Sequence, residues 1–150
     1  MANEENWASY ARAVVDFAPP GRPPFRLVPD TQGVTGAWPQ ELEAPVVIVT
    51  AWNPDSVVMP DADNQARSRL LLAEFAGRGV VLWPAIGRDP DSPHVEVGVA
   101  VSGLTLVEGV TLAAQYGQAS IFVWTPDAWT VVSCSDDRCH TSGWRIDERT

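Results

Sequence analysis

Five polar side chains stand out because each borders or interrupts an apolar element: Asn53, Asn64, Arg67, Glu96 and Gln118, with Trp52 beside the first. Amides, a guanidinium and a carboxylate brought together are what a site for a small polar ligand needs. Arg67 would grip a carboxylate or phosphate with two parallel hydrogen bonds, while Asn53, Asn64 and Gln118 orient it. Glu96 has a second possible use. It is the carboxylate that lies inside a regular apolar strand, which makes it the candidate general base of a small hydrolase or transferase. Plainer roles compete with both: Asn53 in an Asx turn before Pro54, Asn64 as a helix cap, and Glu96–Arg67 as a structural ion pair.

Other chemistries fail on residue type or spacing. The chain has no GxGxxG, GxxxxGK[ST], HExxH or GxSxG string. All ten bases are Arg, so lysine Schiff-base chemistry is excluded. Histidine occurs at His94 and His140 alone, and no elbow holds a serine near either. Cys134-x4-Cys139-His140 groups three metal-binding types but lacks a fourth ligand, so free thiols and no metal are expected. No cofactor is expected, and the reading leans away from an enzyme.

The elements that must position these residues belong to a chain of 150 residues, enough for one domain that folds without disulfide or metal. Nineteen acids against ten bases give a net charge of −9, which argues against nucleic acid as a partner. No apolar run reaches the roughly 18–20 residues of a membrane span, and Met1–Trp7 lacks the basic and apolar regions of a signal peptide, so a cytoplasmic protein away from membranes is expected. Seven Trp (Trp7, Trp38, Trp52, Trp83, Trp124, Trp129 and Trp144) suit a core or an interface.

Residues 1–17 read as a helix with Trp7, Tyr10, Val14 and Val15 along one stripe, followed by the stiff Pro19–Pro24 connector. Residues 25–44 read as loop with a short strand at Phe25–Val28. Val46–Ala51 is a strand buried on both faces, stopped by the turn Trp52-Asn53-Pro54-Asp55. A helix over 62–76 follows, then a strand over Val80–Ile86 and a loop over 87–93. Val95, Val97, Val99 and Val101 alternate with lighter or polar residues, which predicts a strand with those valines in the core and His94 and Glu96 turned away. Thr105 and Glu108 form a capping box that opens a helix to Tyr116. Ser120–Trp124 and Trp129–Val132 form a last hairpin.

The order from Val46 is β-α-β-β-α-β with one extra C-terminal strand, which predicts an α+β fold of the ferredoxin-like split βαβ sandwich class with the N-terminal helix packed on it. The expected organisation is a helix and Pro-rich connector over 1–24, a single α/β domain over 25–133 and a polar tail over 134–150. This topology brings Asn53, Asn64, Arg67, Glu96 and Gln118 to one pole. It also leaves an aromatic sheet face, from strands carrying Trp83, Phe122, Trp124 and Trp129, to be covered by the N-terminal helix or by a second copy, so the chain is expected to be a monomer or a homodimer.

Val49-Thr50-Ala51-Trp52-Asn53-Pro54, then Asp63-Asn64 with Arg67, Pro84-Ala85-x-Gly87, Glu96, Gly103-Leu104 and Tyr116-Gly117-Gln118-Ala119 together resemble the bacterial family named domain of unknown function 3293, over about residues 45–133. The resemblance implies a small bacterial cytosolic protein and names no reaction. From the residues, the expected function is a non-catalytic binding or interaction domain for a small polar or anionic ligand or a protein partner. A small hydrolase or transferase with Glu96 as base, and a structural homodimer, are the alternatives.

Overall fold

Alternation decides which way each strand faces, and here both faces of the sheet are apolar. In β3 (Val46–Thr50), Val46 and Ile48 join one core while Val47 and Val49 join another. The computed structural model, which describes residues 4–148, shows how both are buried. The first three residues of the expected N-terminal helix and the last two of the expected tail lie outside the described residues.

The elements are α1 (Glu4–Arg12), β1 (Val14–Phe17), β2 (Phe25–Asp30), β3, a 3-10 turn at Pro54–Ser56, α2 (Asp61–Ala73), β4 (Val81–Arg88), β5 (Val95–Ser102), α3 (Leu106–Gln115), β6 (Ser120–Thr125), β7 (Ala128–Ser133) and β8 (Cys139–Glu148). The strands close into an antiparallel barrel in the order β1-β2-β8-β7-β6-β3-β5-β4, with β4 returning to β1.

The two-layer ferredoxin-like sandwich is therefore overturned. Four neighbours, β6-β3-β5-β4, do stand in the order that a split βαβ unit produces, with β5 between β3 and β4. The sheet does not stop there. The sequence reads β1 as the end of a helix, β2 as a short strand over Phe25–Val28 within a loop and β8 as part of a polar tail, and these three close the ring. Val14 and Val15 continue a helical stripe and equally well begin a strand. β8 hides its inward pattern because Trp144 and Ile146 are its inward apolar residues among polar ones.

Closure turns the aromatic face into the barrel interior. Trp124 is fully buried, stacks on Phe17 at 5.4 Å, meets Trp144 edge-on at 5.4 Å and takes Trp38 from the 31–44 loop at 4.6 Å. Neither the N-terminal helix nor a second copy is needed to cover that face. At the junction between β1 and β4, the Asp16 carboxylate accepts from Arg26 Nε of β2 at 2.7 Å and from Arg88 Nε of β4 at 2.6 Å, tying three strands on the outer surface. Burial opposes its ionisation, but the two guanidinium groups hold its pKa below the usual aspartate value.

The outer core lies between the sheet and two helices. Leu71 of α2 and Phe75 just beyond it, with Leu112 and Ala113 of α3, cover Val47, Val49, Val99, Val101, Ile121 and Val123. The Thr105–Glu108 capping box starts α3. Gly109 lets it approach β3, since a Cβ there would stand 2.9 Å from Val47 Cγ1. The helices do not reach the far end of β5, so Val97 is 37% exposed, against the expectation that all four valines of this strand are core.

α1 lies across one end of the barrel. Trp7 is buried under the Arg138 guanidinium at 4.6 Å, Arg138 pairs with Glu4 at 2.7 Å, and Arg12 reaches Asp91 at 3.1 Å. The helix thus bridges the β7–β8 turn and the β4–β5 loop. Among the described residues no helix is long and apolar enough to cross a membrane.

Two tests follow from this register. Val101→Asp places an unpaired charge under the helices, at a cost of roughly 4 kcal/mol or more, and should leave no cooperative unfolding transition. Val97→Asp should lower the melting temperature by no more than about 2 °C; equal effects would overturn the register. Ending the chain at Ser133 removes β8 and exposes the edges of β2 and β7, so the product should bind a hydrophobic dye and aggregate, where a dispensable tail would leave the melting curve unchanged.

Candidate functional site

The inner side chains shrink toward the end that α1 crosses. Along β4 they run Trp83, Ala85, Gly87, and the residues facing them on β5 are Ala100, Gly98 and Glu96. Gly98 is required, because a Cβ there would come within 2.5 Å of Val49 O. Where small residues stand, the barrel is hollow. A cavity of about 290 Å³ opens there, walled by Ile48, Ala85, Gly98 and Phe122 and rimmed by Tyr10, His94, Glu96, Asn53 and Gln118.

The polar rim is held by the segment after β3. Thr50 Oγ1 donates to Val97 O at 2.6 Å and accepts from the Trp52 N–H at 3.1 Å. Asn53 (φ 49°, ψ 60°), Asp55 and Ser56 then take left-handed backbone conformations, which non-glycine residues adopt at a cost of order 1–3 kcal/mol each. Buried hydrogen bonds offset it. Asn64 Oδ1 accepts from the Asn53 N–H at 2.9 Å, and Asn64 Nδ2 donates to Asn53 Oδ1 at 2.9 Å and to Met59 O at 3.3 Å. The Met59 N–H donates to Asn53 Oδ1 at 3.0 Å, and the Asp55 N–H to Gly117 O at 2.8 Å. Gly117 (φ 71°) must lack a side chain, since a Cβ would meet Pro54 Cβ at 2.8 Å.

Arg67 fastens the same segment from below. Its Nε donates to Ala51 O at 2.8 Å and its Nη2 to Tyr116 O at 2.5 Å, with the guanidinium 5.7 Å from the Tyr116 ring. Gln118 Nε2 donates to Trp52 O at 2.9 Å and to Tyr116 O at 3.2 Å. Trp52 Nε1 donates to Ser68 Oγ at 3.0 Å. Of the six residues singled out in the sequence, Asn53, Glu96 and Gln118 line the cavity, while Trp52, Asn64 and Arg67 stand behind its wall as positioning residues. No Glu96–Arg67 ion pair forms among the described residues. Pro60, not Asn64, occupies the cap of α2.

Glu96 is where the electrostatics concentrate. Its side chain is 30% exposed, and its Oε1 accepts from Asn53 Nδ2 at 3.4 Å and lies 3.3 Å from His94 Nε2. Burial raises its pKa above the usual glutamate value, against the opposing pull of His94 and Asn53. Tyr10 joins from α1. Burial raises its pKa, with Glu96 and Cys134 adding to the rise and Ser56 opposing it. Sequence reading missed Tyr10 and Phe122 as cavity residues, because their positions depend on where α1 lies and on closure of the barrel; the apolar stripe of α1 carried part of the signal.

The cysteines offer little. Both thiols are free, and burial pushes Cys134 up to about 11, which leaves it poorly nucleophilic. Among the described residues no three His, Cys, Asp or Glu side chains stand together as metal ligands.

The raised pKa of Glu96 fixes a sign. Its folded form is favoured while the carboxyl is protonated, and that contribution is lost as pH rises from the ordinary value of 4.5 through the higher folded one. Glu96→Gln should therefore melt close to wild type at pH 4 and above it at pH 8, with the gap opening between. A gap that closes as pH rises would contradict the burial argument.

No curated protein and no solved structure matches the chain. Residues 49–121, which run from the end of β3 to the start of β6 and include Glu96 and the whole lock of Asn53, Asn64, Arg67 and Gln118, match the model of the family described as Protein of unknown function (DUF3293).

Proposed function

We propose that the protein is a non-catalytic binding domain and that the barrel mouth takes a small polar ligand. The observation that carries this reading is the hollow at one end of an otherwise filled barrel, opening onto a largely buried carboxylate. Its volume, about 290 Å³, sits at the small end of the roughly 300–1,000 Å³ usual for ligand pockets. An apolar back wall and a few fixed polar groups at the rim are the composition such pockets share. The rim is preorganised, because Asn53 is locked by Asn64 before any ligand arrives.

One observation favours a second reading, with Glu96 as general base. A carboxylate whose pKa is raised by burial, 3.3 Å from a histidine, is suited to taking a proton. Against it, the side chains of Glu96 and His94 hydrogen-bond to no hydroxyl or thiol among the described residues, so no activated nucleophile accompanies them.

Thermal scans with a panel of small polar metabolites test the binding reading. A ligand at a hundredfold excess over its Kd contributes about 2.7 kcal/mol, which for a chain of this size is a shift of about 5–10 °C. That shift should appear for at least one compound and fall by more than half in Glu96→Ala. If none stabilises the protein, and ester or amide substrates are turned over in a manner abolished by Glu96→Gln, the base reading replaces it.

A further inference from the structure

The hydrogen-bonding state of the rim says which ligand fits. The donors of its amides and of Thr50 are directed to protein acceptors. Asn53 Nδ2 is directed to Glu96, Gln118 Nε2 donates to the main-chain carbonyls of Trp52 and Tyr116, and the Thr50 hydroxyl hydrogen goes to Val97 O. Glu96 Oε1 receives Asn53 and faces His94, but Glu96 Oε2 and Gln118 Oε1 accept no hydrogen bond among the described residues. A ligand entering here meets oxygen lone pairs and therefore has to bring N–H or O–H groups.

Charge points the same way. The guanidinium groups nearest the cavity are committed elsewhere: Arg67 to Ala51 O and Tyr116 O, Arg88 to Asp16 on the outer surface, and Arg12 to Asp89 and Asp91. Arg88 also lines the cavity, but its guanidinium is drawn to Asp16 through Nε. The chain as a whole carries −9, which favours cations over anions as partners. A carboxylate set against a low-dielectric wall of Ile48, Ala85 and Phe122 gains most from a partner that neutralises it.

We infer that the ligand is a small organic cation, a primary ammonium on a compact apolar body, with the nitrogen between Glu96 Oε2 and Gln118 Oε1 and the body against Ile48 and Phe122. The inference rests on the binding reading above and replaces an anionic ligand with a cationic one. It also gives Tyr10 a part, since its ring lies at the cavity rim and closes over the body of a bound amine.

Calorimetry with three probes of one shape tests it: phenethylammonium, phenethyl alcohol and phenylacetate. The ammonium should bind at least tenfold tighter than the alcohol, with phenylacetate weakest. In Glu96→Gln, which keeps the side-chain shape, the preference of ammonium over alcohol should fall to within threefold. Alcohol or phenylacetate binding as tightly as the ammonium overturns the cation and leaves the binding site standing. A preference for the ammonium that survives Glu96→Gln puts the amine elsewhere and also overturns it. Silence from all three probes, while the metabolite panel yields a stabilising compound, defeats this inference alone. Silence from both defeats the binding reading with it.

Discussion

Val14–Phe17 pairs with Phe25–Leu27 on one side and with Ala85–Arg88 on the other, and at that second junction the ring of strands is completed. A sheet apolar on both faces has to find cover twice. Two helices supply it outside, and only curvature supplies it inside. Eight strands make a ring whose interior side chains just fill. With β1 in place, Trp83, Trp124, Trp129 and Trp144 share one interior, and among the described residues no strand keeps an unpaired edge. Without it, β2 and β4 become edges and the aromatic face returns to water. The Asp16 carboxylate, shared by Arg26 and Arg88, reinforces the junction with charge-assisted bonds on the outer surface.

Closure also creates the site. Indoles fill the end plugged by Trp38, and glycine and alanine leave the other end open, so one gradient of side-chain size yields both a core and a pocket. The same gradient determines what the pocket offers. Glu96 lies on the inward face of β5, where small neighbours leave its partly buried carboxylate to the cavity, the Asn53 amide and His94. α1 then spans the mouth, held at its two ends by ion pairs to Arg138 and to Asp89 and Asp91.

The polar residues divide into those that meet the cavity and those that hold the others in place. Asn64, Arg67 and the amide nitrogen of Gln118 satisfy buried main-chain groups of a segment bent through three left-handed residues. Such groups are costly when orphaned and most valuable when every partner is met, which is why three side chains serve one short segment. Their work leaves Glu96 Oε2 and Gln118 Oε1 at the rim as acceptors with no hydrogen bond among the described residues.

Much of this was legible in the residues. β-branched runs marked β3 and β5, the capping box marked α3, and Pro54 marked the turn, because those signals are local. The gathering of Asn53, Glu96 and Gln118 at one end was legible as well, since it depends only on which way each strand runs, and an antiparallel neighbour keeps that direction in a sandwich or in a barrel. Closure was not legible. β1 offers four residues that continue a helical stripe, β2 contains a proline, and β8 shows its apolar alternation at Trp144 and Ile146 among polar neighbours. These strands exist because partners distant in sequence present matching edges, as Asp16 does with Ile86. Nor could spacing decide which polar side chain faces the cavity. The type and order of the residues determined that polar groups would meet at one pole. Only the closed barrel, with its left-handed turn at Asn53, decided that Arg67 would bind carbonyls and Glu96 would face the hollow, because side-chain direction follows from curvature and backbone angles that no local pattern encodes.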